Sequence, residues 1–141
     1  MSTRRQFIKH VAYGSTAVTA LSARSRLRAA GAAERLRTAM IGVGGQGLNL
    51  LNAFLDIDGV DVAYVCDPDQ SHLARARDKA DNRPGAVTDL RKVLDDKSVD
   101  AVVIATPDHW HAPTAILACD AGKHVYVEKP CSHNLRESRL L

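Results

Sequence analysis

The sequence predicts an α/β fold, a doubly wound parallel sheet forming one domain over residues 37–141. Three observations predict it. From residue 37 onward, short apolar runs alternate with helix-length segments whose apolar residues recur every three to four positions, the pattern of strands joined by crossover helices. The run from Val99 to Ala105 is apolar except at Asp100, as expected for a central parallel strand covered on both faces. The first run, ending Ala39-Met40-Ile41, enters a glycine turn that leads directly into a helical pattern.

Each element follows in order. Arg37 to Val43 reads as the first strand. Gly45 to about Asp56 reads as a helix with Leu48, Leu51, Phe54 and Leu55 on one stripe. Val60 to Cys66 is the second strand. Pro68-Asp69 opens a polar helix through about Lys79, with Leu73 its main apolar contact. Asn82-Arg83-Pro84-Gly85 is a turn, Ala86-Val87 a short third strand, and Thr88 the cap of a helix through about Asp95. After the central strand, Ala112 to Ala121 reads as a helix closed by Gly122, a residue type suited to the left-handed position past a helix end. His124 to Val127 is a further strand, and Asn134 to Leu141 begins a further helix. Because the chain stops inside that amphipathic pattern, a fragment or truncated reading frame is expected.

The glycine turn carries chemistry. Gly42, Gly44 and Gly47 stand at the spacing G-x-G-x-x-G within Gly42-Val43-Gly44-Gly45-Gln46-Gly47. In a dinucleotide-binding turn the first glycine allows the bend, the second admits the pyrophosphate, and the third lets helix and strand pack closely. The helix start, from Gly45 on, then offers free N–H groups and a positive dipole end to phosphate. Asp67 closes the second strand twenty residues after Gly47, where an acid reads the adenosine ribose hydroxyls. These residues point to a Rossmann-type nucleotide site rather than a merely structural turn.

Composition narrows the partners. At 141 residues, 45% hydrophobic and 25% charged, the chain is long enough for one globular core. The net charge of +3 is unevenly spread: residues 1–37 carry +7 and the remainder −4. The mildly acidic body excludes a nucleic-acid footprint. The basic head reads Thr3-Arg4-Arg5-Gln6-Phe7-Ile8-Lys9, followed by a weakly apolar stretch from Val11 to Ala23 that is too short to span a bilayer. It resembles a twin-arginine export signal, S/T-R-R-x-F-L-K, with Ile8 for the usual leucine. Residues 1–32 are therefore expected to be an export signal and linker, against a basic arm or amphipathic helix, and the protein to be periplasmic or otherwise exported. Cleavage after Ala30-Gly31-Ala32, cleavage after Ser22, and retention as an anchor all remain open. No membrane contact beyond that signal is expected. Cys66, Cys119 and Cys131 show no metal spacing; Cys66 and Cys119 read as packing residues, and no disulfide is expected.

Ligands of open parallel sheets bind beyond the carboxyl ends of the strands. Two further loops fall at that edge: Thr106-Pro107-Asp108-His109-Trp110-His111 and Glu128-Lys129-Pro130. With Ala121-Gly122-Lys123-His124-Val125-Tyr126-Val127 and the glycine turn, they resemble the Gfo/Idh/MocA family of nicotinamide-dependent sugar and cyclitol oxidoreductases over residues 37–141. The most specific part is E-K-P beyond a T-P-x-x-x-H loop. The resemblance implies that Gly42, Gly44, Gly45 and Gly47 hold the pyrophosphate. It implies that Asp67 holds the adenosine ribose, favouring NAD over NADP, and that Thr106, Pro107 and His111 lie along the cofactor. Glu128 and Lys129 then face the nicotinamide ribose and substrate. Lys129 and His111 are the expected catalytic groups, Lys129 supplying positive charge or a proton relay where an alkoxide develops. The partner implied is a small-molecule sugar or cyclitol, and the complete enzyme a homo-oligomer.

Plainer roles stand beside these. Trp110 is open between packing and the site. His109 and His111 are two apart with no third ligand, so no metal is expected. Asp108 and His109 are compatible with helix capping, Lys123 and His124 with charge complementation of a helix C-terminus, and Lys129 with a solvated loop. Family members carry a second α/β domain that supplies most of the substrate pocket and is absent from this sequence, so nucleotide binding without useful turnover is expected. Two other functions remain: a redox-neutral glycosidase or lyase that uses NAD transiently, and a non-catalytic NAD-binding fragment.

Overall fold

The computed structural model describes residues 35–141; the expected export signal over residues 1–32 lies outside the described residues. Five parallel strands form one sheet in the order β3-β2-β1-β4-β5. They are β1 (Leu36–Ile41), β2 (Val60–Cys66), β3 (Gly85–Val87), β4 (Ala101–Ile104) and β5 (His124–Val127). Helices α1 (Gly45–Leu55), α2 (Gln70–Lys79), α3 (Leu90–Asp95) and α4 (His111–Asp120) make the connections, and α5 (Leu135–Ser138) follows β5. This is the doubly wound fold expected.

Alternation along the strands makes the two layers. Ala39 and Ile41 of β1 and Val102 and Ile104 of β4 face one side, packing with Val93 and Leu94 of α3 and Ala115 and Ala118 of α4. Met40 and Val103 face the other, packing with Leu51 of α1 and Leu73 and Ala76 of α2. A strand whose side chains alternate between two covered faces must be apolar at every position, and β1 and β4 are buried from Met40 to Ile41 and Val102 to Ile104. The order of the sheet reverses between β1 and β4, which pair directly (Ile41 opposite Ile104). The crevice beyond their carboxyl ends is therefore the switch point where ligands of such sheets bind.

Several expectations shift. Thr88 does not cap α3; Asp89 does, accepting from Arg91 N–H at 3.0 Å. The helix expected from Asn134 to Leu141 is a single turn over Leu135–Ser138. Leu135 and Leu140 are 83% and 64% exposed, and without apolar burial so short a helix gains little from propensity. Cys119 is exposed, not a packing residue, whereas Cys66 is buried; all three cysteines are free. Lys123 meets a helix C-terminus as expected, but that of α3, whose C-cap is Asp96. It is buried, and its Nζ donates to the carbonyls of Asp96 at 2.6 Å and Val99 at 2.9 Å, tying the α3–β4 loop to the end of α4. Gly122 does close α4: its φ is 74°, its N–H bonds Cys119 O, and Lys123 N–H bonds Ala118 O, the paired closure of a Schellman motif.

Candidate nucleotide site at the sheet switch point

The carboxyl ends of β1, β2 and β4 are laced together before any side chain enters. Gly42 N–H donates to Cys66 O at 2.8 Å and Ala105 N–H to Ile41 O at 2.9 Å. Gly42 has φ 82°, and a Cβ there would sit 2.7 Å from Ala105 O and Thr106 N. Only glycine both bends the chain and lets the loop after β4 pass this close. Gly47 is buried in the first helical turn, where a Cβ would collide with the Gly42 carbonyl. The glycines thus lock α1 against the turn. Gly44 caps α1 without a side-chain bond, and no acid lies in the first turn. Its N–H groups therefore stay available to an anion, with Gly45 exposed at the mouth.

Asp67 is 7% exposed. Its Oδ2 accepts from Val43 N–H and its Oδ1 from Asp69 N–H, both at 2.9 Å. The carboxylate is anchored by these two backbone donors. Asp69, capping α2 through Ser71 N–H at 2.7 Å, has its carboxyl held below the usual range by the hydrogen bonds from Ser71.

Two cavities flank the glycine turn. One, of about 470 Å³, is apolar and walled by Ile41, Cys66, Pro68, Leu90, Pro107 and Trp110. Burial pushes the Cys66 thiol up to about 12, helped by the nearby charges of Asp67 and Asp89. Thr114, fully buried on α4, also lines this cavity, and its hydroxyl lacks a hydrogen-bond partner within the protein. The second cavity, of about 330 Å³, is polar and walled by Gln46, Ala105, Thr106, His111, Glu128 and Lys129. Thr106 lines both, and its buried hydroxyl is likewise without a partner. An apolar slot, a helix N-terminus and a polar chamber therefore lie in sequence around one threonine. That arrangement fits an elongated ligand with a flat apolar end, an anionic middle and a polar far end, as a dinucleotide has.

The loops after β4 and β5 are joined by one ring. His111 is 3% exposed; its Nδ1 lies 2.7 Å from Pro130 O and its Nε2 2.8 Å from Thr106 O. Both ring nitrogens face carbonyl oxygens, so none is left over for substrate. Lys129 is exposed at the polar chamber, and among the described residues its ammonium makes no hydrogen bond or ion pair. The Lys129–Pro130 peptide is cis. Glu128 is held by Ile104 O through its own N–H at 2.9 Å and by Tyr126 Oη, which donates to Oε1 at 3.1 Å; that bond raises the Tyr126 phenol above its ordinary range.

Pro107 opens a 3-10 turn (Asp108–Trp110) and lines the apolar cavity beside Trp110, which is half-exposed. Trp110 therefore belongs to the site wall rather than the core. Asp108 takes His133 Nδ1 at 3.3 Å and lies 3.6 Å from His109, the hydrogen bond from His133 lowering its carboxyl. Among the described residues no group of three ligating side chains could hold a metal. Sequence reasoning left Trp110 open and missed Gln46, Cys66, Leu90 and Thr114 as site residues. Their one shared signal is position just beyond or beneath a strand's carboxyl end.

Comparison with known proteins agrees with this geometry. Residues 36–141 match the family GFO_IDH_MocA, described as an oxidoreductase family with an NAD-binding Rossmann fold. A glycosyl hydrolase family 109 protein of Shewanella baltica is 36% identical over 110 residues, covering 72% of this chain and 24% of that protein. Among solved structures, GenD2 from gentamicin A biosynthesis, in complex with NAD, superposes with a TM-score of 0.70 at 31% identity, over 75% of this chain and 30% of its own. Myo-inositol 2-dehydrogenase from Lactobacillus plantarum superposes with a TM-score of 0.69 at 28% identity, over 74% and 31%. The chain spans about a quarter of the length of the curated relative and under a third of the solved chains. Among the described residues no helix is long and apolar enough to cross a membrane.

Proposed function

Because the chain belongs to the Gfo/Idh/MocA oxidoreductase family, we propose that it is the nucleotide-binding half of an exported NAD(P)-dependent enzyme acting on a sugar or cyclitol hydroxyl. The observation that carries this reading is the pair of cavities meeting at Thr106 beside the uncapped start of α1. The adenine fits the apolar slot, the pyrophosphate the helix start at Gly44 and Gly45, and the nicotinamide riboside the polar chamber. Asp67 accepts from the adenosine ribose hydroxyls, which favours NAD, since a carboxylate repels a 2′-phosphate. Glu128 and Lys129 face the far end. The bound nicotinamide supplies the two-electron redox chemistry.

Lys129 is the group that meets the substrate oxygen, holding positive charge where an alkoxide develops. His111 acts one step back: by spanning Thr106 O and Pro130 O it holds the two loops in register. The sugar or cyclitol is held with parts of the protein beyond the residues described here, as a homo-oligomer, and the twin-arginine head carries the folded, loaded protein out of the cytoplasm.

The test is thermal unfolding of the purified chain with and without NAD or NADP. A ligand at a hundred times its Kd adds about 2.7 kcal/mol to the native state, an upward shift of roughly ten degrees or more for a domain near a hundred residues. No shift with either dinucleotide sinks the proposal. A second reading is favoured by the glycosyl hydrolase relative: oxidation and re-reduction within one turnover, around glycoside cleavage. Glycoside cleavage by the native protein with no net reduced cofactor selects it; net reduced cofactor with a free sugar or cyclitol selects the first.

A further inference from the structure

The loops after β4 and β5 are tied a second time, through charge rather than through His111. Asp108 begins the 3-10 turn and uses both of its oxygens. Oδ1 accepts from His109 N–H at 2.8 Å, and Oδ2 lies 3.3 Å from Nδ1 of His133 in the segment after β5. His109 and Trp110, in the same turn as Asp108, wall the apolar cavity with Pro107. His133 in turn is held by α5. Asn134 Oδ1 accepts from Arg136 and Glu137 N–H, both at 3.0 Å, and Glu137 accepts from His133 N–H at 2.8 Å and Asn134 Nδ2 at 2.7 Å. This reciprocal cap closes a single turn whose Leu135 is 83% exposed. The turn covers no core; what it fixes is the backbone that carries the His133 ring.

A carboxylate–imidazole pair changes strength with pH, because an ordinary imidazole gains its charge between about pH 8 and pH 5 while a carboxylate keeps its own. The hydrogen bond from His133 holds the Asp108 carboxyl below its usual range, so Asp108 stays ionised across that interval. Side-chain exposures of 55% for His133 and 49% for Asp108 leave the pair open to protons. His109, 3.6 Å from Asp108 Oδ1, is a second imidazole on this carboxylate, its ring centre 6.5 Å from that of His133. Glu137 meets the His133 backbone from α5. His111, at the start of α4, has both ring nitrogens against carbonyls. The other charges on the elements packed here are Arg136 and Arg139 at α5, Glu128 and Lys129 in the loop before it, and Asp120 at the far end of α4.

We propose that Asp108 and His133 form a pH-sensitive clasp on the wall of the apolar cavity, tightening it on a bound nucleotide as the solution becomes acidic. Protonated His133 draws the segment after β5 onto the turn after β4 and fixes His109 and Trp110 against the ligand. The neutral ring leaves only a weak hydrogen bond, and the wall loosens. Nucleotide affinity therefore rises as pH falls through the imidazole range. His133 acts through Asp108 and is a positioning residue. This rests on the dinucleotide reading of the site.

The experiment is equilibrium titration of the full chain with NAD at about pH 5.5 and about pH 8, for the native protein, His133→Gln and Asp108→Asn, each checked for folding by circular dichroism. Glutamine keeps a donor and loses the charge; asparagine keeps the shape and loses the charge. The quantity read is the Kd at the higher pH divided by the Kd at the lower. Other titrating groups, His72 beside Asp67 included, contribute alike to all three proteins. The native ratio exceeds that of either variant by about threefold, the order of an exposed ion pair. A native ratio matched by both variants overturns the proposal. So does a ratio lost only in Asp108→Asn, since His109 would then be the partner. So does one lost only in His133→Gln, since the charge would then act on the nucleotide directly. If the native chain binds no NAD at either pH, the nucleotide reading fails and this inference falls with it. If NAD binds and all three proteins share one ratio, only this inference fails.

Discussion

Asp67 is the residue where fold and proposed function are hardest to separate, and its replacement by alanine separates them. The substitution removes the acceptor of Val43 N–H and of Asp69 N–H, both bonded at 2.9 Å. Val43 is 1% exposed, so its N–H is left buried and unpaired, at a cost of about 1–3 kcal/mol. The Asp69 N–H sits in an exposed loop and can turn to water, which limits its loss to about 1 kcal/mol. The total is about 3 kcal/mol in the absence of any nucleotide. At roughly 4–8 °C per kcal/mol for a domain of this size, the melting temperature falls by ~12–24 °C. Asp67→Asn keeps one acceptor oxygen and loses about half as much. The assay is urea unfolding of the two variants and the native chain, with and without NAD. Both variants lose affinity for NAD, because the ribose acceptor is gone or halved. An alanine variant that loses NAD yet keeps native stability refutes the structural half of this reasoning. One that loses stability yet keeps native NAD affinity refutes the functional half.

Further outcomes follow from the same coordinates. Cys66 is buried with its thiol pushed up to about 12, whereas Cys119 and Cys131 are exposed; thiol labelling of the native protein at pH 8 titrates two cysteines, and a third only after unfolding. The Asp89 carboxyl is lowered to about 2 by hydrogen bonds from Arg91, and that of Asp96 to about 2 by bonds from Ser98 and Tyr64. Lowered carboxyls stabilise the fold above their unfolded value of 3.8 and lose that contribution as pH falls through the folded value; melting temperature therefore drops between about pH 4 and pH 2, and Asp89→Asn with Asp96→Asn flattens that limb. Replacing Lys123 with methionine leaves the Val99 carbonyl without this donor, while the Asp96 carbonyl keeps the Val99 N–H, costing about 1–3 kcal/mol in urea unfolding. If Lys129 meets the substrate oxygen as proposed, Lys129→Met abolishes turnover in whatever assembly completes the substrate site, while thermal unfolding of the variant still shows an NAD-dependent shift.

Most of the fold was legible because its signals are local. The strand period, the length of the apolar runs and the left-handed glycine at Gly122 each act within a few residues, and β2, α1, α2, α4 and β5 fall within one or two residues of where the sequence places them. The misreadings came where a neighbour in space decides. Thr88 and Asp89 are equally good caps by type; Asp89 wins because its carboxylate also takes the Arg91 guanidinium. The helix expected after Asn134 has its cap, with Asn134 accepting from Arg136 and Glu137 N–H, but it finds no apolar partner and stops after a turn. Lys123 looks like a surface charge until the carbonyls of Asp96 and Val99, 24 or more residues away, turn toward it.

The site was half legible for the same reason. Glycines, the strand-end acid and the two loops announce themselves by position, but the coupling between them does not. Gly42 is required as much by the backbone of Ala105 and Thr106 as by its own turn, so the glycine fingerprint and the Thr106-Pro107 loop are one steric unit though sixty residues apart. His111 extends that unit to Pro130, its ring lying between the carbonyl beyond Lys129 and the carbonyl of Thr106 at 2.7 and 2.8 Å. Any movement of the loop after β4 must therefore move the Lys129 loop or break a buried contact. On the function proposed above, a nucleotide that orders Thr106 from the glycine side would also position the Lys129 loop, which gives the T-P-x-x-x-H spacing a mechanical reason: the histidine reaches back five residues along its own loop and forward nineteen to the next.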